Sequence, residues 1–304
     1  MLASIGYWLF RFFGAKSLLI YSRFVSIRSL EKVVGRVMLD VNYGSSFFPD
    51  IKFHGLFRAR AHDNLKGSMR DGVLREFEKE SEFKNPPAKY VKRGRCNDNG
   101  ESMFYCSNEL FTAVVESRPK VNSFVTVADF QCLEDGKLFE HRVSPIGYRY
   151  LRQIPVLTQM MKKMNPESRK TFVKIDDFLD QLFHKTATKR AYYYKLSNAV
   201  ARCMIKGIVN DVGTKINQHG LIYSSILRNK RSFNIVLKPF YVNYYKIVKL
   251  YTFEVLKDNN SALNLKLLRF GELSGIKTDP AQNLDIKWVE LQVEEQELIT
   301  YDYD

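Results

Sequence analysis

"GRCNDNGESMFYCSNELFTAVVESRP", residues 94–119, decides how the rest of this chain is read. It strings Arg95, Asn97, Gly100, Tyr105 and Glu116 around two apolar stretches. "SMFYC" predicts a short strand. Asn108 is the expected cap of a helix carrying Leu110, Ala113 and Val114 on one face. Pro119 cannot continue that helix, so Glu116 falls near its C-terminal end. An arginine, an aromatic hydroxyl and a lone carboxylate are thereby set on neighbouring elements.

Working outward, "IKFHGLFRAR" alternates as one strand, with Phe53, Gly55 and Phe57 on one side and His54, Leu56 and Arg58 on the other. "LKGSMRDGVLREFEKES" spaces Met69, Val73 and Phe77 four apart amid charges, which predicts a surface helix. "KNPPAKY" is a loop, because the residue before a proline is driven out of helical conformation. "SFVTVADFQ" predicts a strand. From 146 to 208 the period becomes helical in "PVLTQMMKKM", "IDDFLDQLFHK" and "YYYKLSNAVARCMIKGI", the last with a stripe of Leu196, Val200, Cys203 and Met204. Strands return as "GLIYSSI", "SFNIVLKP", "YKIVKLYTFEVLK", "ALNLKLLRF" and "IKWVELQV", before the acidic end "EEQELITYDYD". The expected architecture is α+β: a mainly helical N-terminal extension over 1–50, a catalytic domain over 51–245 with a helical insert at 146–208, and a β-rich extension with an acidic end over 246–304.

Lys and Arg number 47 against 33 Asp and Glu, a net charge of +14, which favours anionic partners. The five histidines form no HxxxH or HExxH pair, so no protein-held metal is expected. The four cysteines, Cys96, Cys106, Cys132 and Cys203, lack CxxC spacing and read as reduced thiols of a cytoplasmic protein. The apolar start "MLASIGYWLFRFFGAKSLLIYSRFV" is interrupted by Arg11, Lys16 and Arg23, so no transmembrane segment is expected. It reads as a helix packed on the body, with an interfacial membrane helix as the sharper alternative.

Several polar residues run against the apolar pattern: Arg58 on its strand, Arg95 in a Gly-Arg-Cys-Asn turn, Tyr105, Glu116, and Ser225 at the end of "GLIYS". Burying a lone charge is costly, so such residues have partners or ligands. A plain ion pair of Arg58 or Arg95 with Glu116 is the simplest reading.

"LFRARAHD", "NPPAKYVKRGRCNDNGESMFYCSNELFTAVVESRP" and "GLIYSSILRNKRSFNIVLKP", in that order, resemble the RES domain family, the toxin half of bacterial RES–Xre toxin–antitoxin systems. The likeness runs from about Phe57 to Pro239 and is thin between roughly 146 and 205. It implies an ADP-ribosyltransferase-like core of packed β-sheets with surrounding helices. It also implies an enzyme that splits the nicotinamide–ribose bond of NAD⁺ by phosphorolysis or hydrolysis and so arrests growth. Arg58, Arg95, Tyr105, Glu116 and Ser225 stand at the family's functional positions, with Arg60 and Ser224 as neighbours that could be confused with two of them. NAD⁺ is then substrate, phosphate a possible co-substrate, and no cofactor is required. The implied partner is an Xre-type antitoxin whose tail plugs the pocket.

The residue types suit that chemistry. Glu116 would stabilise the cationic sugar, as a carboxylate does in glycoside hydrolysis. Arg58 and Arg95 would grip the pyrophosphate bidentately. Tyr105 would lay its ring on nicotinamide or ribose while its hydroxyl bonds a neighbour. Ser225 would bond the nicotinamide amide or orient Glu116. The competing readings are ADP-ribosyl transfer to a macromolecule, a basic nucleic-acid-binding module, and an inactive scaffold. The spread of Lys and Arg along the chain, without a recognition motif, argues against direct nucleic-acid binding. The acidic end is read as solvated, or as an inhibitory arm competing for the arginines.

Overall fold

A computed structural model describes residues 15–40, 50–62, 69–70, 73–74, 77–132, 140–152, 154–184, 191–206, 218–225, 232–258, 262–275 and 282–302. Its frame is one large mixed sheet with helices packed on it. In chain order come α1 (Ala15–Tyr21), α2 (Ile27–Asp40), β1 (Asp50–Lys52), β2 (Gly55–Ala61), the short β3 (Met69–Arg70) and β4 (Val73–Leu74), and β5 (Phe104–Ser107). Next are α3 (Leu110–Ser117), β6 (Phe124–Cys132), β7 (Glu140–Ile146), α4 (Pro155–Lys163), α5 (Pro166–His184) and α6 (Ala191–Lys206). The chain closes with β8 (Gly220–Ser224), β9 (Phe233–Leu237), β10 (Tyr245–Asp258), β11 (Ala262–Leu273), β12 (Ile286–Glu290) and β13 (Leu298–Asp302).

The strand order is β1-β7-β8-β9-β5-β2-β6-β10-β11-β12, and β13 shares the outer edge of β11 with β12. Among the described strands, only β7 and β8 pair in parallel. The ladder is weakest at its middle. β2 and β5 meet through the single pair Phe57↔Ser107, whereas β2 and β6 pair over seven residues.

Burial explains both halves. Along β8, Leu221 and Tyr223 face a core built with the helices, among them Leu30, Val33, Phe183, Leu196, Val200 and Met204. Ile222 on the opposite face joins Phe104, Phe130, Ile235 and Leu250. With both faces covered, β8 and β9 are buried at every residue and mostly apolar. β11 instead alternates, sending Leu263, Leu265 and Leu267 to a third cluster with Val114, Val125 and Phe253.

Several expectations are corrected. "LKGSMRDGVLREFEKES" is not a helix where it is described: Met69 pairs with Leu74 and Arg70 with Val73 across a sequence reading Asp-Gly. Asp-Gly favours tight hairpins, and glycine disfavours helix, which defeats the four-residue spacing. "IKFHGLFRAR" is broken into β1 and β2, which pair with β7 and β6 respectively. The strand β7 was missed altogether. Asn108 is not the helix cap; Glu109 is. The Asn108 carboxamide oxygen accepts the Phe233 amide N–H at 2.7 Å, tying the helix entrance to β9 instead.

The proposed boundary after residue 245 falls inside β10, all of which belongs to the sheet: Tyr245 pairs with Cys132 and Glu254 with Phe124. The acidic end likewise carries β13, and Tyr301 stacks on Phe111 with ring centroids 4.7 Å apart. Residues 298–302 are therefore a strand of the sheet and not a free arm. Of the N-terminal stretch, residues 1–14 lie outside the described residues. Leu18, Tyr21 and Val25 are buried in the helical core. Arg202 of α6 bonds Glu31 of α2 and Glu101, so the N-terminal helices, the insert and the loop after Arg95 are laced together.

Candidate functional site

The motif Gly-Arg-x-Asn-x-x-Gly has a local physical cause. The Asn97 side chain fills the turn, donating from Nδ2 to the carbonyls of Lys92 (2.9 Å) and Asp98 (3.0 Å). Its Oδ1 accepts from the Tyr105 hydroxyl at 2.7 Å. A Cβ on Gly94 would lie 2.5 Å from that Oδ1, so only glycine lets the asparagine in. Gly100 has φ of 76°, the left-handed conformation that glycine adopts without strain. The turn so fixed points Arg95 inward.

A cleft of about 510 Å³ opens where β2 and β5 part. Phe57, Arg58 and Ala59 line it from β2, and Tyr105, Cys106 and Ser107 from β5. Glu116, Arg95, Tyr223, Asn234, and Tyr194 of the insert complete much of the wall. The volume is that of an ordinary small-molecule site. Among the described residues lining it, Glu116 is the sole carboxylate, and no histidine is present.

Glu116 is gripped on both oxygens. Oε1 accepts from the Asn234 carboxamide at 2.6 Å and from the Ser225 hydroxyl at 3.1 Å. Oε2 lies 3.7 Å from the Arg95 guanidinium. Asn234 is itself held, because Ser107 donates to its Oδ1 at 2.9 Å. The helix brings Glu116 to the cleft because α3 ends one residue later: Arg118 takes a left-handed conformation (φ 52°) and donates its N–H to Val115 O.

The two arginines differ. Arg95 is buried against the carboxylate, its guanidinium carbon 5.7 Å from the Tyr223 ring centroid. Burial opposes its charge, but Tyr223 and Glu116 outweigh that and raise its pKa above the ordinary arginine value. Arg58 donates to the Tyr105 carbonyl at 2.8 Å and sits over the Phe104 ring at 5.1 Å. Among the described residues it has no carboxylate partner, and its Nε has no hydrogen-bond acceptor. Burial, and then the neighbouring Arg60, lower its pKa to about 10.

The confusable neighbours are separated. Arg60 donates to the Glu82 carbonyl and covers the Phe77 ring at 5.3 Å. The Ser224 hydroxyl turns away to Asp180. Ser225 is fully buried and is not among the residues lining the cleft, so it orients Glu116 and does not reach a ligand there. The Tyr105 hydroxyl is committed, donating to Asn97 and accepting from the Cys96 amide at 2.9 Å, which leaves only its ring for a ligand. Burial raises the Cys96 thiol to about 12, so it is no thiolate nucleophile.

Asn234 and Tyr223 were missed in the sequence. The available signal was an asparagine inside the apolar run "FNIVL", a polar group that a doubly covered strand must satisfy. No group of three or more metal-ligating side chains occurs among the described residues. Likewise, none of their helices is long and apolar enough to cross a membrane.

Comparison with protein-family models, curated proteins and solved structures gave no match.

Proposed function

We propose that the protein cleaves the nicotinamide–ribose bond of NAD⁺, on an ADP-ribosyltransferase-like core of which the parted strands β2 and β5 form the mouth. The observation that carries this reading is one carboxylate, fixed by Asn234, Ser225 and Arg95, sharing a cleft with the Arg58 guanidinium, which has no carboxylate partner among the described residues. A half-buried cation without an anion favours an anionic ligand. The resemblance to RES domains supplies the identity of that ligand.

In this mechanism Arg58 binds the pyrophosphate and the Tyr105 ring packs against the nicotinamide riboside. The C1′–N bond breaks with its electron pair going to the nicotinamide nitrogen, which neutralises the leaving group, so no general acid is needed. Positive charge grows on the anomeric carbon, where the oriented Glu116 carboxylate stabilises it. A phosphate or water oxygen then bonds that carbon; water gives up a proton to solvent. Arg95 holds Glu116 in place, a different task from gripping phosphate. As a toxin or defence effector such an enzyme requires a cognate inhibitor, an Xre-type protein in the RES systems.

The test is nicotinamide release from NAD⁺ by purified protein, with and without phosphate. Glu116→Gln keeps the shape but removes the charge, and the expected loss in kcat is about 100-fold or more. Absence of release by the wild-type protein, or an unchanged rate in the variant, would exclude the reading.

A further inference from the structure

The rim of the cleft carries an aromatic ring that the core does not use. Tyr90 lines the cleft yet is 68% exposed. Its backbone is held firmly. Tyr90 ends the 3-10 turn Ala88–Tyr90, donating its N–H to Pro87 O at 3.0 Å, and the Val91 N–H bonds Ala88 O at 3.1 Å. Gly100 N–H bonds Val91 O, and the Ser102 hydroxyl bonds Pro86 O at 2.6 Å. The Lys89 ammonium sits 4.8 Å from the ring centroid. The ring stands on a fixed backbone, and its face is open for a flat ligand to lie on.

Its position along the cleft follows from the chain. The loop that carries Tyr90 runs five residues on to Arg95, which touches Glu116. Five residues reach at most about 17 Å. Tyr90 and Glu116 line the same cleft of about 510 Å³, so a ligand that fills it reaches both, with the cation Lys92 also on the lining between them in sequence.

We propose that Tyr90 is the stacking platform for the adenine of the dinucleotide, the half remote from the scissile bond. This rests on the NAD⁺ reading and deepens it: it makes the preferred substrate a dinucleotide and not a nicotinamide mononucleotide. Aromatic stacking suits this role because it needs only the flat face of the base.

The test compares Tyr90→Ala and Tyr90→Phe with the wild-type full chain, using NAD⁺ and nicotinamide mononucleotide as substrates and AMP as a competitive inhibitor. Loss of the ring is expected to raise KM for NAD⁺ about 5- to 150-fold with kcat within about 2-fold. AMP inhibition weakens by a similar factor, and Tyr90→Phe behaves as wild type. The effect is confined to ligands that carry adenine. An unchanged KM for NAD⁺ and unchanged AMP inhibition in Tyr90→Ala would overturn the assignment, as would an equal loss on the mononucleotide. Wild-type protein that releases no nicotinamide from either substrate would instead remove the NAD⁺ reading on which the assignment stands. The melting temperatures of the variants, expected to match wild type at so exposed a position, separate ligand effects from misfolding.

Discussion

The two halves of the sheet are built differently, and the cleft lies where they meet. β6, β10 and β11 are long strands of 9, 14 and 12 residues, and β11 alternates between core and surface. β8 and β9 are five residues each and buried throughout, sandwiched between the helices and the second core. A strand covered on both faces tolerates little change, because any added atom meets packed neighbours on either side. The half with an exposed face has room to adjust. The single pair Phe57↔Ser107 joins these halves, which leaves backbone and side chains free to line a site without breaking either ladder.

The sharpest way to test that contrast is a pair of glycine substitutions. A Cβ at Gly220 in β8 would stand 1.9 Å from the Val236 carbonyl oxygen, a backbone atom held in the ladder. Gly220→Ala is expected to cost more than about 4 kcal/mol or to prevent folding, read from the urea midpoint. A midpoint near wild type would contradict the rigid packing described for this half.

A second expected effect concerns acid stability. His141 of β7 is fully buried, and burial followed by the charge of His219 lowers its pKa to about 3. The unfolded chain then binds more protons between about pH 6.5 and 3, so stability present above 6.5 is lost as pH falls through that window. His141→Gln cannot be protonated but keeps a partner for the Tyr245 hydroxyl, which lies 2.8 Å from His141 Nε2. It should flatten the acid side of the stability profile. An unaltered profile would mean that His141 is not the group responsible.

At the junction, Arg58→Met should raise the unfolding free energy by about 1 kcal/mol while abolishing the NAD⁺ binding proposed above, since a partly buried cation with no carboxylate partner among the described residues is replaced by an apolar chain. Equal loss of stability and binding would indicate that Arg58 serves the fold and not a ligand. A smaller cost than at Gly220 is expected on the half with an exposed face. A Cβ on Gly271 in β11 would meet the Trp288 ring at 2.8 Å and Ile286 Cγ2 at 3.1 Å, which are side chains and not ladder backbone, although the Trp288 ring is held by its Nε1–H bond to Phe77 O and by Arg269 over its face. Gly271→Ala should cost about 1–3 kcal/mol, the range of overpacking against side chains. A cost equal to that of Gly220→Ala would erase the distinction between the halves.

What could be read from the sequence follows the same division. "ALNLKLLRF" was read as a strand and is β11, three-and-four spacing announced α4 to α6, and Pro119 set the end of α3, so Glu116 was placed correctly near its terminus. The break between β1 and β2 and the strand β7 were not legible, because a strand as brief as three residues, or one interrupted by Pro145, carries too little pattern. Met69, Val73 and Phe77 misled because four-residue spacing arises by chance in a hairpin with charged neighbours.

At the site, the sequence by itself determined the residue types: one carboxylate, two arginines, a tyrosine and a serine in apolar surroundings, with Gly94, Asn97 and Gly100 specifying the turn that aims Arg95. Only the tertiary structure decided which of them share a cleft and what each is free to do. Arg95 is committed to Glu116 and Tyr223, Arg58 retains an unused donor, and Ser225 stands behind the carboxylate with Asn234 beside it. The reason is physical. Turn and helix ends are governed by sterics over a few residues, whereas the partner of a hydrogen bond or an ion pair is whatever the packed sheet brings within about 3–4 Å, from more than a hundred residues away in the cases of Ser225 and Asn234.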